Sequence, residues 1–163
     1  MSGLMTTPQQ LVIVALLILA GGHSLQSAPD APKAADPAAE KRARETVARL
    51  GGEIARDELS GGLRVELTTK MVADADLAAI AGLPGLENLQ LAFTPVTDAG
   101  LAHLKGASTL RVLVLWDTKV TDRGLTHLTG LTKLSILNVK GTKVTAAGVD
   151  TLKKALPKLD VIR

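Results

Sequence analysis

The sequence predicts an α/β fold built from short parallel strands on one side and helices on the other. Two observations indicate it. The run Thr-Asp-x-Gly-Leu begins at Thr97 and again 24 residues later at Thr121, and a related copy begins at Thr145. The chain is also 46% hydrophobic but only 1% aromatic, so its core must be filled with aliphatic side chains. A fixed period with apolar residues at matching positions is typical of stacked strand–helix units.

The N-terminal segment has the pattern of an export signal. Residues 1–29 carry no charged side chain, and residues 11–20 form an unbroken apolar run. That run is too short to cross about 30 Å of hydrocarbon as a helix, but it suits a secretory signal peptide. We assign residues 1–22 to this signal and expect an extracytoplasmic location, periplasmic or secreted. Because the first ten residues contain no Lys or Arg, an uncleaved membrane anchor is the alternative.

A linker and a capped helix are predicted next. Residues 23–39 are rich in Ala and Pro, a composition that buries little surface and favours disorder. Asp36 followed by Pro37 predicts a helix start, since Asp is a good N-cap and Pro suits the first helical position. The helix is expected to run to Leu50, where glycines follow.

A β-hairpin is predicted after this helix. Residues 53–56 and 63–68 are short strand-like runs, and the pair Gly61-Gly62 between them is a turn signal. Residues 40–72 are therefore predicted to form an N-terminal cap, a helix and hairpin that cover the open end of the units that follow.

Residues 73–163 carry the repeating units. Apolar residues follow the pattern L-x-x-L-x-L/V-x-x-T, which starts at Leu86, Leu110 and Leu134. This pattern resembles the leucine-rich repeat family, which has Asn or Cys at the last position, where Thr94 stands in the first unit. A Thr hydroxyl is able to donate a hydrogen bond to a nearby backbone carbonyl and so to keep that role.

The resemblance implies a specific architecture. The Thr-Asp-x-Gly-Leu-x-x-Leu run is most similar to F-box-associated repeats and to short exported bacterial repeat proteins. It implies a solenoid in a short arc, with parallel strands on the concave side and helices on the convex side. We expect strands around Leu89, Leu113 and Leu137, and helices that begin at Asp98 and Asp122. No F-box precedes the repeats, so a ubiquitin-adaptor role is not expected.

The final unit departs slightly from the period. It contains a one-residue insertion, after which Leu156, Leu159 and Ile162 are expected to resume the inward-facing pattern. Terminal repeats are often atypical because they close the stack.

The concave sheet face is the predicted binding site. In each strand the leucines point inward and the residues between them point outward. The outward positions are Arg64, Glu66 and Thr68, then Asn88, Gln90 and Ala92, then Val112, Val114 and Trp116, then Ile136, Asn138 and Lys140. We predict that the last six bind a protein or an envelope polymer, because Val112, Val114, Trp116 and Ile136 would form an exposed apolar patch. The alternative is that β-branched residues simply suit strands and that Trp116 folds over its neighbours.

Other functional classes are disfavoured by composition. The chain has no Cys, and its aromatic residues are one Phe and one Trp, too few for the stacking platforms of single-strand nucleic-acid binders. His103 and His127 share a repeat position but fall short of the ligands that zinc needs. No catalytic signature is present, so we expect neither an enzyme nor a cofactor or metal. Lys119 and Lys143 also repeat, either as solvated turn residues or as a site for a phosphate or acidic sugar.

Two functions remain open. The first is an exported module that binds a protein through its concave face. The second is a structural or assembly element of the cell envelope, anchored by an uncleaved N-terminal helix. Contact with a membrane is expected only in that second case.

Overall fold

The computed structural model describes residues 36–58 and 60–163, which form an α/β fold with a six-stranded, mostly parallel sheet. The helices in these ranges are α1 (Pro37–Arg49), α2 (Asp74–Ile80), α3 (Asp98–His103), α4 (Asp122–Leu125) and α5 (Ala146–Ala155). The strands are β1 (Glu53–Arg56), β2 (Leu63–Glu66), β3 (Leu86–Gln90), β4 (Val112–Val114), β5 (Ile136–Asn138) and β6 (Asp160–Ile162). The predicted signal segment and most of the predicted linker lie outside the described residues. No helix within the described ranges is long and apolar enough to cross a membrane.

The first helix starts where the sequence predicted. Asp36 Oδ1 accepts a hydrogen bond from the Ala38 N–H at 2.9 Å, and Pro37 occupies the first helical position. Ala43 and Val47 are buried on one face of the helix. The helix therefore begins three residues before the expected boundary between linker and cap at residue 40.

The hairpin prediction is confirmed. Strands β1 and β2 pair antiparallel from Glu53↔Glu66 to Arg56↔Leu63. Strand β2 is shorter than predicted and ends at Glu66. On its other side β2 pairs with β3 in parallel, so the hairpin forms the first edge of the sheet.

Strands β3, β4 and β5 lie in parallel register around the predicted leucines. Leu89 pairs with Leu113 and Leu113 with Leu137, so each pairing joins residues 24 positions apart. All three side chains are fully buried. Consecutive α-helices contact one another in chain order, and the buried aliphatic residues of strands and helices form one core cluster. The core thus lies between the sheet and the row of helices.

Threonine hydroxyls close the turn after each of these strands, as expected. Each hydroxyl donates to the backbone carbonyl three residues earlier, at 2.6–2.8 Å. The pairs are Thr94 with Leu91, Thr118 with Leu115, and Thr142 with Val139. Because Thr94 and Thr118 are buried, these bonds satisfy hydroxyls that have lost contact with water.

The prediction that Ile162 points inward is wrong. Strand β6 pairs with β5 as Leu137↔Val161, so Val161 takes the inward position and packs against the core. Ile162 is 44% exposed. Leu156 and Leu159 are buried as expected, and the extra residue before Leu156 is offset by one residue fewer between Leu159 and the strand.

Candidate functional site

The outward-facing strand positions are aligned into rows by the parallel register. One row runs Arg64, Asn88, Val112, Ile136, Asp160, and the next runs Glu66, Gln90, Val114, Asn138, Ile162. We call the surface formed by these rows, together with Phe93, Trp116 and Lys140 beyond the strand ends, the outer sheet face. It brings the six predicted binding residues together on strands β4 and β5 and directly after them.

An aromatic pair lies at the edge of this face where the parallel strands have their C-terminal ends. The rings of Phe93 and Trp116 have centroids 4.6 Å apart and are tilted by 53°. Lys140 Nζ lies 5.8 Å from the centroid of the Trp116 ring, within the range of a cation–π interaction. Trp116 is 39% exposed and Phe93 is 43% exposed. Trp116 therefore packs on its neighbours and also keeps accessible surface.

The expected apolar patch differs in composition from the prediction. Of the four side chains proposed for it, Trp116 and Ile136 are exposed, whereas Val112 and Val114 are only partly exposed. Ala92, expected to face solvent, is buried at 5% exposure. A small side chain beside large neighbours is readily covered by them.

Two exposed apolar residues of the outer sheet face were missed by the sequence reasoning. Ile162 was assigned to the core, as described above. Phe93 was not placed on the sheet surface, because it follows the strand instead of alternating within it. Its backbone φ is 58°, and Asp117 and Gly141, at intervals of 24 residues, have φ values of 56° and 71°. The signal available in the sequence was Gly141, which marks this position as left-handed.

This left-handed position brings Phe93 against the segment that follows β4. The Phe93 N–H donates to the Trp116 carbonyl at 2.8 Å, and the Asp117 N–H donates to the Lys140 carbonyl at the same distance. The aromatic pair is therefore positioned by main-chain hydrogen bonds between the segments that follow β3, β4 and β5.

The half of the outer sheet face that β2 and β3 form is polar. Arg64 and Glu66 are exposed on β2, and Gln90 Nε2 donates to Asn88 Oδ1 at 2.7 Å on β3. A groove of about 300 Å³ lies at the N-terminal ends of β2 to β5 and joins the two halves. Its lining includes Arg64, Asn88, Glu87, Arg111, Val112 and Ile136. The face can thus contact polar and apolar groups of one ligand side by side.

Behind this face, a ladder of side-chain hydrogen bonds fixes the helix starts. In each step a helix-initiating Asp accepts two bonds from the Thr that caps the following helix, one from its N–H at 2.7–2.8 Å and one from its hydroxyl at 2.6–2.7 Å. The pairs are Asp74 with Thr97, Asp98 with Thr121, and Asp122 with Thr145.

The glycine of the same run makes room for this ladder. A Cβ added to Gly100 would lie 2.5 Å from Asp74 Oδ1, and one added to Gly124 would lie 2.5 Å from Asp98 Oδ1. The backbone N–H of Thr145, and then its hydroxyl, hold the pKa of Asp122 below the ordinary value of an aspartate. The run Thr-Asp-x-Gly therefore has a structural role.

The repeated histidines and lysines were the remaining sequence candidates. Within residues 36–58 and 60–163, no group of three or more potential ligands is arranged to hold a metal ion. Lys119 and Lys143 are exposed where the chain passes from strand to helix, at the same end of the sheet as the aromatic pair.

Comparison with protein-family models and with curated proteins finds no match for this chain.

Proposed function

We propose that this chain is an exported leucine-rich repeat module that binds a partner protein through the outer sheet face. The observation that carries the proposal is the set of large apolar side chains exposed on that face: Phe93, Trp116, Ile136 and Ile162. Exposed apolar surface with a polar rim marks interaction sites, and Trp is enriched among residues that dominate binding energy.

The assignment to a leucine-rich repeat solenoid, with the outer sheet face concave, rests on periodicity. An interval of 24 residues is common to three features: the L-x-x-L-x-L/V-x-x-T pattern, the strand pairings and the steps of the Asp–Thr ladder. Each unit presents one inward face that it cannot bury alone, so neighbouring units complete the core. In this proposal residues 40–72 cap the stack and residues 73–163 form the repeats.

Export is supported by the apolar run at residues 11–20 and the small residues after it. Mass spectrometry of the protein isolated from its native host tests this directly. Loss of residues 1–22 is the expected result. A full-length chain in the membrane fraction would instead support the second function, an anchored structural element, which the uncharged N-terminal end of the signal favours.

Photo-crosslinking tests the binding site. A p-benzoylphenylalanine at position 136 lies on the proposed interface, and the same residue at position 133 lies in the exposed turn before β5. We expect one discrete adduct from position 136 in cells and none from position 133. Adducts of equal yield at both positions, or none at position 136, would show that the face is not an interface.

The Trp116→Ala substitution adds a second measurement to this test. Since Trp116 is partly exposed, its removal should cost stability only modestly while it abolishes the adduct from position 136. Circular dichroism and thermal unfolding establish that the variant is folded. A folded variant that keeps the adduct would contradict a role for the aromatic pair in binding.

A further inference from the structure

Three exposed lysines lie beside the aromatic pair at the C-terminal end of the parallel strands. Lys140 is placed over the Trp116 ring, and its carbonyl accepts the Asp117 N–H. Lys119 and Lys143 lie in adjacent units, since the Lys143 N–H donates to the Val120 carbonyl at 3.1 Å. We call Lys119, Lys140 and Lys143 the lysine edge.

The lysine edge has no ion-pair partner within the described part of the chain. No carboxylate oxygen of residues 36–58 and 60–163 lies within 4.0 Å of these three ammonium groups. Two nearby carboxylates, Asp98 and Asp122, are each bound by a threonine of the ladder. Asp117 is an exposed acid at this edge. Neither it nor the two ladder carboxylates forms an ion pair with Lys119, Lys140 or Lys143, so these ammonium groups stay accessible beside an apolar surface.

We propose that the partner's contact segment is acidic: an apolar side chain of it covers Phe93 and Trp116 while its carboxylates pair with the lysine edge. This inference rests on the proposed function and specifies the chemistry of the partner. Charge complementarity supports it, because unpaired lysines around an apolar centre attract and orient an anionic polypeptide. Lys140 already lies over the Trp116 ring, so a partner carboxylate that pairs with Lys140 would lie beside the aromatic pair.

An acidic protein segment fits this surface better than an anionic membrane does. Insertion into a bilayer requires apolar side chains that protrude into the headgroup region. Phe93 and Trp116 instead cover each other, and more than half of each side chain is already buried. A partner side chain can pack on the aromatic pair by contacting only the part of Phe93 and Trp116 that is still exposed.

The single tryptophan of the chain makes the test direct, because fluorescence reports on Trp116 alone. The probe is a synthetic peptide of alternating Glu and Leu, and its matched control is the same peptide with Gln in place of Glu. We expect a saturable change in Trp116 emission with the Glu peptide only. The affinity should fall about tenfold between about 0.05 M and 0.5 M NaCl, since salt screens exposed charges.

A charge-matched pair of variants locates the effect. Lys119→Gln with Lys143→Gln should weaken the Glu peptide about tenfold, as expected when charge contacts worth about 1.4 kcal/mol are lost. Lys105→Gln with Lys133→Gln removes the same charge from the helix-to-strand side and should leave the affinity unchanged. Circular dichroism and thermal unfolding confirm that both variants are folded.

Several outcomes would overturn the inference. They are no emission change with the Glu peptide, an equal change with the Gln peptide, or equal losses in the two double variants. Vesicles of phosphatidylcholine with phosphatidylglycerol form the last arm. Emission that responds to these vesicles and not to the Glu peptide would identify a membrane site instead. The crosslink at position 136 tests the proposed function independently of these results. A negative result with the Glu peptide would therefore contradict the acidic partner without contradicting the interface.

Discussion

At the scale of single residues, the left-handed backbone position shared by Phe93, Asp117 and Gly141 carries a conformational cost for any residue with a Cβ. Thr69, at the first occurrence of this position, has a φ of 60° although it is β-branched. Left-handed backbone costs a residue with a Cβ roughly 1–2 kcal/mol, and glycine escapes this cost. Gly141 occupies the equivalent position in the last interval.

We therefore expect Thr69→Gly to stabilise the protein by about 1 kcal/mol. The control is Thr132→Gly, at an exposed turn residue without a positive φ, which should be neutral or destabilising. Urea unfolding of both variants measures the difference. A loss of stability in Thr69→Gly as large as that in Thr132→Gly would contradict the argument.

Asp122 gives a pH-dependent prediction at the same scale. Its pKa is lowered in the folded state, chiefly by the Thr145 N–H and hydroxyl, so the folded protein favours the ionised form. This contribution to stability is complete above the pKa of the unfolded chain and is lost as pH falls through the folded pKa. Thr145→Val removes one of the two donors and should move the pKa of Asp122 upward, towards its ordinary value.

NMR titration of the Asp122 carboxyl carbon measures that shift. Thr132→Val, which alters a threonine outside the ladder, should leave the pKa of Asp122 where it is. If both variants titrate as the unmodified protein does, the hydroxyl of Thr145 does not hold the carboxylate.

At the scale of elements, the ladder decides how closely neighbouring helices approach. Gly124 packs against Asp98 and Leu101 of the preceding helix. We expect Gly124→Ala to destabilise the protein by about 1–3 kcal/mol, because the added methyl group displaces a carboxylate that satisfies Thr121. Gly130→Ala is the matched control, since a Cβ there meets no atom within 4 Å. Equal midpoints of thermal unfolding for the two variants would argue against a packing role for Gly124.

The elements also show what the sequence can and cannot predict. The strands around Leu89, Leu113 and Leu137 follow from local pattern, because an inward leucine is buried whatever its neighbours are. The sequence predicts Asp98 only as the start of a helix, whereas its hydrogen-bond partner Thr121 lies 23 residues later. Phe93 could not be placed on the site from alternation, since its position depends on the register of β3 with β4.

At the scale of the whole molecule, the strand pairings and the Asp–Thr ladder recur every 24 residues. This common interval predicts what happens when 24 residues are removed. Removal of residues 97–120 would place Thr121 opposite Asp74, in the position that Thr97 occupies. We expect this variant to fold cooperatively with lower stability, because one strand and one helix are lost while the register of the remaining strands and the Asp–Thr ladder are restored. Deletion of residues 97–108 breaks the interval and should abolish folding. Calorimetry of the two shortened chains compares them, and similar behaviour in both would count against stacked repeats.

The last interval shows where the chain tolerates a change of length. From Leu128 to Leu137 the inward-facing residues are spaced by three, three and three, whereas from Leu152 to Val161 they are spaced by four, three and two. Strand β6 nevertheless keeps its register with β5. The connection from helix to strand thus absorbs variation that the strand-to-helix turns, tied by the ladder, cannot absorb. For protein engineering, this makes the loop around Gly130 a suitable place for an inserted epitope or label, remote from the aromatic pair.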